Sequence, residues 1–83
     1  MPLFRRHFLD TSRGRIVGAL QAGPRTIDDI ARELRLAASG VRAQMTAMER
    51  DGVVRRAGQR AGATRPSRIY ELTPEVDQLL SRA

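Results

Sequence analysis

Apolar residues recur at helical spacing through the first half of the chain. TSRGRIVGALQAG sets Ile16, Val17 and Leu20 on one face of a helix, with Thr11 or Ser12 as its candidate N-cap and Gly23-Pro24 as its stop. TIDDIARELR spaces Ile27, Ile30, Ala31 and Leu34 at i, i+3, i+4 and i+7. Thr26 precedes that run as a cap, and Asp28 and Asp29 fall in the first turn, where the helix dipole favours anions. After a break at RLA the helical period resumes from Ala38 to Asp51 through Val41, Met45 and Met48, which read as core, and Gly52 ends it. So short a break forces the second and third helices to turn sharply against each other.

The period then changes. GVVRRAG opens on β-branched residues, and SRIYEL alternates so that Tyr70 and Leu72 share a face opposite Ile69 and Glu71. Between these strands Gly58, Gly62 and Pro66 supply turn chemistry. TPEVDQLLSRA predicts a last helix, with Thr73 as cap, Pro74 at the first position and Val76, Leu79 and Leu80 as an apolar stripe. The order helix, helix, helix, strand, basic loop, strand, helix predicts a mainly α fold with a small β-hairpin, a winged helix-turn-helix. Within a single domain over 1–83, the expected parts are an N-terminal extension at 1–10, the helix-turn-helix at 26–51, the hairpin wing at 53–72 and the C-terminal helix at 74–82.

Length and composition narrow the picture. A chain of 83 residues buries only about 60% of the surface that it exposes when unfolded, so the core is thin. With no cysteine, disulfides and thiolate metal ligands are excluded, and a reducing cytoplasm fits best. MPLFRRHFLD has no apolar run long enough for a signal sequence, and nowhere do the roughly 18 successive apolar residues needed for a span occur. The expectation is a soluble, cytoplasmic chain without a membrane partner.

Net charge is +6, and all 15 basic residues are arginine. Genomic base composition accounts for that identity as readily as guanidinium chemistry does, so the distribution carries more weight. Residues 1–25 sum to +4, 26–34 to −2, 35–51 to +1, 52–70 to +5 and 71–83 to −2. Arg55 to Tyr70 holds five arginines and no acid. A basic segment between acidic ones is the footprint of a polyanion binder, while 4% aromatics argue against a stacking platform for single strands. The same stretch has the composition of a disordered linker; the alternating strands around it and the ELTPE exit favour the wing.

With the third helix in a major groove, the face opposite Val41, Met45 and Met48 is the one that reaches base edges. That face carries Ser39, Ala43, Thr46 and Arg50, with Arg42 on its flank. Arg42 can take guanine O6 and N7 bidentately, or else remain a solvated or phosphate-binding arginine. Ser39 and Ala43 are small enough for close approach, and Ala43 can pack a thymine methyl. Gln44 leans back towards the second helix, within reach of a phosphate or an adenine. On the wing, Arg56, Arg60, Arg65 and Arg68 are candidates for phosphate or minor-groove contact.

Elsewhere the residues indicate no catalytic site, no metal, no cofactor and no small-molecule ligand. His7 has neither a cysteine nor a second histidine beside it, and Asp28, Asp29 and Glu33 read as dipole-favouring, solvated charges. Phe4, Phe8 and Leu9, added to Val76, Leu79 and Leu80, exceed what three short helices bury, so a homodimer is expected. It would space two recognition helices about 34 Å apart and bind a palindromic site.

TIDDIARELRLAASGVRAQMTAMERDGVVRR, RPSRIYELTPE and FLDTSRGRIVGAL, in their order along Phe8 to Ala83, resemble the helix-turn-helix, hairpin strand and first helix of ArsR-like winged-helix transcriptional regulators. The resemblance implies sequence-specific binding to double-stranded DNA, either by a minimal regulator or by the DNA-binding part of a larger one. This chain departs from the pattern at Gln44, where such proteins often carry His, at Ala37, where they often carry a Ser cap, and at Thr64, where a hairpin glycine is usual. A winged-helix module for protein–protein contact and an RNA-binding winged helix are the alternatives left open.

Overall fold

The computed structural model describes residues 11–61 and 66–82. The predicted extension at 1–10, with Phe4, His7, Phe8 and Leu9, lies outside the described residues, as do Gly62, Thr64 and Arg65. The described elements run α1 (Ser12–Gln21), β1 (Arg25–Thr26), α2 (Ile27–Leu34), α3 (Ala38–Arg50), β2 (Val54–Arg60), β3 (Ser67–Leu72) and α4 (Pro74–Ser81). The fold is a winged helix. Its antiparallel sheet has the order β1-β3-β2, and β1, which no periodicity announced, closes one side by pairing Arg25 with Tyr70 and Thr26 with Ile69.

Each helix begins differently. Thr11, rather than Ser12, caps α1, its Oγ1 accepting from the Gly14 N–H at 3.0 Å. Thr26 opens α2 with a capping box: its Oγ1 accepts from the Asp29 N–H, and the Asp29 carboxylate accepts from the Thr26 N–H, both at 3.1 Å. Ala37 stands at the N-cap of α3 and offers no side-chain acceptor. Thr73 occupies the N-cap of α4, yet its hydroxyl does not cap that helix; it donates 2.9 Å to the Gly52 C=O and so ties α4 to the end of α3.

The helix ends set the turns. α3 stops where Gly52, at φ 77, lets the Val53 N–H reach back to the Met48 C=O at 2.8 Å. α2 closes in the same manner, with the Leu36 N–H on the Ala31 C=O at 3.0 Å, but the left-handed residue there is Arg35, at φ 58. Glycine is the usual occupant, because a Cβ costs about 1 kcal/mol or more in that conformation.

All the described elements except β1 and α4 place residues in one core: Ile16, Val17 and Leu20 from α1, Ile30 from α2, Val41, Met45 and Met48 from α3, Val54 from β2, and Tyr70 and Leu72 from β3. α4 only leans on it through Val76 and Leu80, and leaves Leu79 65% exposed. The wing also differs in detail from its expected form. Gly58 lies within β2 and not in the turn: the register slips between Arg56 and Gly58, and Gly58 takes φ 148 at this bulge, where a side chain would be strained.

Ala37→Ser supplies the missing acceptor at an exposed N-cap whose backbone already has the extended φ −67, ψ 137 that the position requires. The expected outcome is a gain of about 1 kcal/mol, read as a rise in Tm of roughly 4–8 °C in thermal unfolding.

Candidate nucleic-acid interface

The burial of α3 decides what it presents. Val41, Met45 and Met48 are at most 1% exposed, and one stripe of a helix faces away from the opposite one. Ser39, Arg42, Ala43, Thr46 and Arg50 are accordingly all exposed. Arg50 lies 3.5 Å from the neighbouring Asp51. Arg42 has no ion-pair or hydrogen-bond partner among the described residues, so its guanidinium is available. Gln44 is placed apart from this set. Half-buried, it accepts from Arg13 Nε at 3.5 Å and lines a cleft of about 170 Å3 with Ser12, Ile16 and Ala37 at the seam between α1 and α3.

The arginines of β2 are each held by an acid from a different element. Arg55 pairs with Glu71 across the ladder on β3 at 2.7 Å, Arg56 with Glu49 on α3 at 3.2 Å, and Arg60 with Asp29 on α2 at 2.8 Å. Their side chains stay half or more exposed, so these contacts fix direction without taking the side chains out of water. Arg68 on β3 is exposed and has no acidic partner among the described residues.

Other arginines beside α3 were not singled out in the sequence. Arg35, in the turn between α2 and α3, is exposed and has no acidic partner among the described residues. Its left-handed backbone is the signal, and only the three-dimensional turn reveals it. Beside it, exposed Arg15 donates to the Leu34 C=O at 2.8 Å, and Arg13 spans Gln44 and Asp51. Two cations without an acidic partner among the described residues thus lie outside α3, Arg35 in the turn before it and Arg68 opposite Gln59 on the hairpin. Among the described residues, no group of acids and histidines is arranged to hold a metal ion, and no helix is long and apolar enough to cross a membrane.

Asp29 is the electrostatic node. The Thr26 backbone N–H holds its carboxyl below the usual value of 3.8; partial burial opposes this, and the Thr26 side chain and the Arg60 guanidinium reinforce it. Arg32 adds a looser contact at 3.7 Å.

The DprA winged helix domain matches residues 8–59. No curated protein matches the chain. Among solved structures, the reduced form of the transcriptional regulator YodB from Bacillus subtilis is 20% identical, with a TM-score of 0.70 over 93% of this chain and 76% of that one. MepR, a transcription regulator of the Staphylococcus aureus multidrug efflux pump MepA, is 25% identical, with a TM-score of 0.65 over 84% and 51%. Bacillus subtilis PadR in complex with operator DNA is 18% identical, with a TM-score of 0.72 over 89% and 46%. The chain thus spans about half the length of the last two, and the likeness is one of fold.

Acid titration checks the node. A carboxylate whose folded pKa is depressed contributes stability that is fully present above its unfolded value and is lost as the pH falls through the folded one. The stability of the wild type is expected to drop more steeply than that of Asp29→Asn between about pH 5 and pH 3, measured as denaturant midpoints across the series. Parallel curves would refute the assignment.

Proposed function

The chain belongs to the DprA winged helix domain family, and from that premise we propose that it binds double-stranded DNA sequence-specifically as a transcriptional regulator of the ArsR-like kind. The single domain divides, on this reading, into the helix-turn-helix at 26–51 and the wing at 53–72, and works in the cytoplasm. The observation that carries it is the exposed face of α3, where Arg42 has no acidic partner among the described residues and stands between small residues next to an arginine-bearing hairpin. The fold neighbours include a regulator solved on its operator, which supports the same reading.

In the proposed complex α3 lies in the major groove. Arg42 reads a guanine through its planar fork, Ser39 and Ala43 allow close approach, and Thr46 and Arg50 extend the contact along the groove. Arg56, Arg60, Arg65 and Arg68 take phosphates or the minor groove from the wing. Gln44, held at the seam with α1, contributes at the edge of the site. Arg35 joins as a phosphate contact at the other end of α3. The exposed Leu79 on a helix without buried residues supports a homodimer through the terminal segments, hence a palindromic site. Sedimentation at high concentration that shows monomer alone, with one-to-one duplex binding, would remove the dimer.

Selection of duplexes from a random pool at near-physiological salt tests specificity, and an enriched motif is expected. With about 5 phosphate contacts, log affinity falls with log salt at a slope near −4 to −5. Arg60→Ala combined with Arg65→Ala lowers affinity for all duplexes and flattens that slope. Arg42→Ala instead relaxes preference at one base position, by about 1–3 kcal/mol. A protein-contact module would bind duplex weakly or not at all even at low salt.

A further inference from the structure

We infer that Asp29 is a positioning residue for DNA binding: through the Arg60 guanidinium it fixes the wing against the start of α2 and aims Arg60 at the phosphate backbone. The inference rests on the proposed DNA-binding reading and adds to it a residue that contacts no DNA. Its basis is an asymmetry within the pair. The Asp29 side chain is 14% exposed, whereas that of Arg60 is 53% exposed. The carboxylate is enclosed and already accepts the Thr26 N–H at 3.1 Å and Arg60 Nη1 at 2.8 Å. Arg60 places Nη1 on Asp29, and its side chain makes no other hydrogen bond or ion pair among the described residues, with about half of it exposed.

A guanidinium carries five N–H donors in a rigid plane, so a carboxylate at one edge leaves another edge for a phosphate. Asp29 is itself immobile, because the capping box fixes its rotamer at the third position of α2. Arg60 lies 31 residues away in sequence, at the outer end of β2. Its neighbours Arg55 and Arg56 are anchored on Glu71 and Glu49, so β2 is pinned along its length and Asp29 is the outermost pin. Without it, the contacts of the last residues of β2 among the described residues reduce to their bulged ladder with β3, and nothing there ties them to α2.

The sign of one substitution separates this from the simpler reading. Asp29→Asn removes a negative charge from a protein that binds a polyanion, and the amide oxygen can still accept the Thr26 N–H, so α2 remains capped. On charge alone the variant binds duplex more tightly. If Asp29 positions Arg60, it binds more weakly.

The experiment is a double-mutant cycle of Asp29→Asn and Arg60→Ala, with affinity measured on a pool-selected duplex and on a scrambled duplex of equal length, well below each variant's melting temperature. Asp29→Asn is expected to weaken both affinities by about 3- to 10-fold, and to cause no weakening in the Arg60→Ala background. In the free protein, 15N relaxation is expected to show lower amide order at Gln59 and Arg60 in Asp29→Asn, with Val54 unchanged. Tighter binding by Asp29→Asn would overturn the inference while leaving the DNA-binding reading intact. Equal weakening with and without Arg60 would overturn it too, since Asp29 would then act through the helix cap alone. Failure of the wild type to bind either duplex would remove both.

Discussion

Burial of the Val41, Met45 and Met48 stripe of α3 is the constraint on which the rest depends. Each of these side chains is at most 1% exposed, and α1, α2, β2 and β3 all send their buried residues to the same cluster. A chain this short with no cysteine has no covalent staple to fall back on, and its described residues form a single core. The orientation of α3 is therefore fixed by the largest favourable term available to the fold. Truncating a side chain as buried as Met48 costs about 2–5 kcal/mol, comparable with the whole stability of many small domains. Because the stripe must face inward, the surface carrying Ser39, Arg42, Ala43 and Thr46 must face outward. The candidate site is a by-product of the packing and needs no energy of its own.

The acids complete what the core begins. Asp29, Glu49, Asp51 and Glu71 each hold an arginine from elsewhere in the chain, and these ion pairs are exposed enough that none contributes much stability. Their effect is on direction. They bind wing to helices and α1 to α3, while Arg35, Arg42 and Arg68 have no acidic partner among the described residues. The arginines thus divide into those that fix geometry and those left to meet an anion.

Much of this was legible in the sequence. Ile16, Val17 and Leu20 in α1 and the α3 stripe follow from a period of 3.6, and the Thr26 cap with Asp29 follows from local chemistry, because all of these interactions are short in sequence. The failures are long-range or backbone events. The two residues of β1 are strand only because Tyr70 and Ile69 pair with them, which no local pattern encodes. Thr73 has the composition of a cap, but its hydroxyl donates to the Gly52 C=O across the fold and does not accept from the first turn of α4. Gly58 signalled a turn, yet the positive φ it permits is used at a bulge. Asp29 read as a dipole-favouring, solvated charge; it does stand in the first turn of α2, but its side chain is only 14% exposed because the capping box and Arg60 enclose it. The outward face of α3 was readable by residue number; Gln44 was read as leaning back towards the second helix, whereas its hydrogen bond is with Arg13 on α1.

The excess of arginine over lysine, uninformative as composition, acquires meaning at particular positions. At Arg60 one guanidinium nitrogen is committed to Asp29 and the rest of the fork is open. A lysine there would place its three donors on one nitrogen at the end of a flexible stem, with no second planar edge held at a fixed angle to the one on Asp29. The same holds for Arg56 on Glu49. Arg42 makes the opposite case: unanchored on a rigid helix, it draws its precision from α3 itself and so requires no acid to aim it. A wing is less rigid than a buried helix, and on the proposed reading its arginines need carboxylate partners for the same reason that the recognition helix does not.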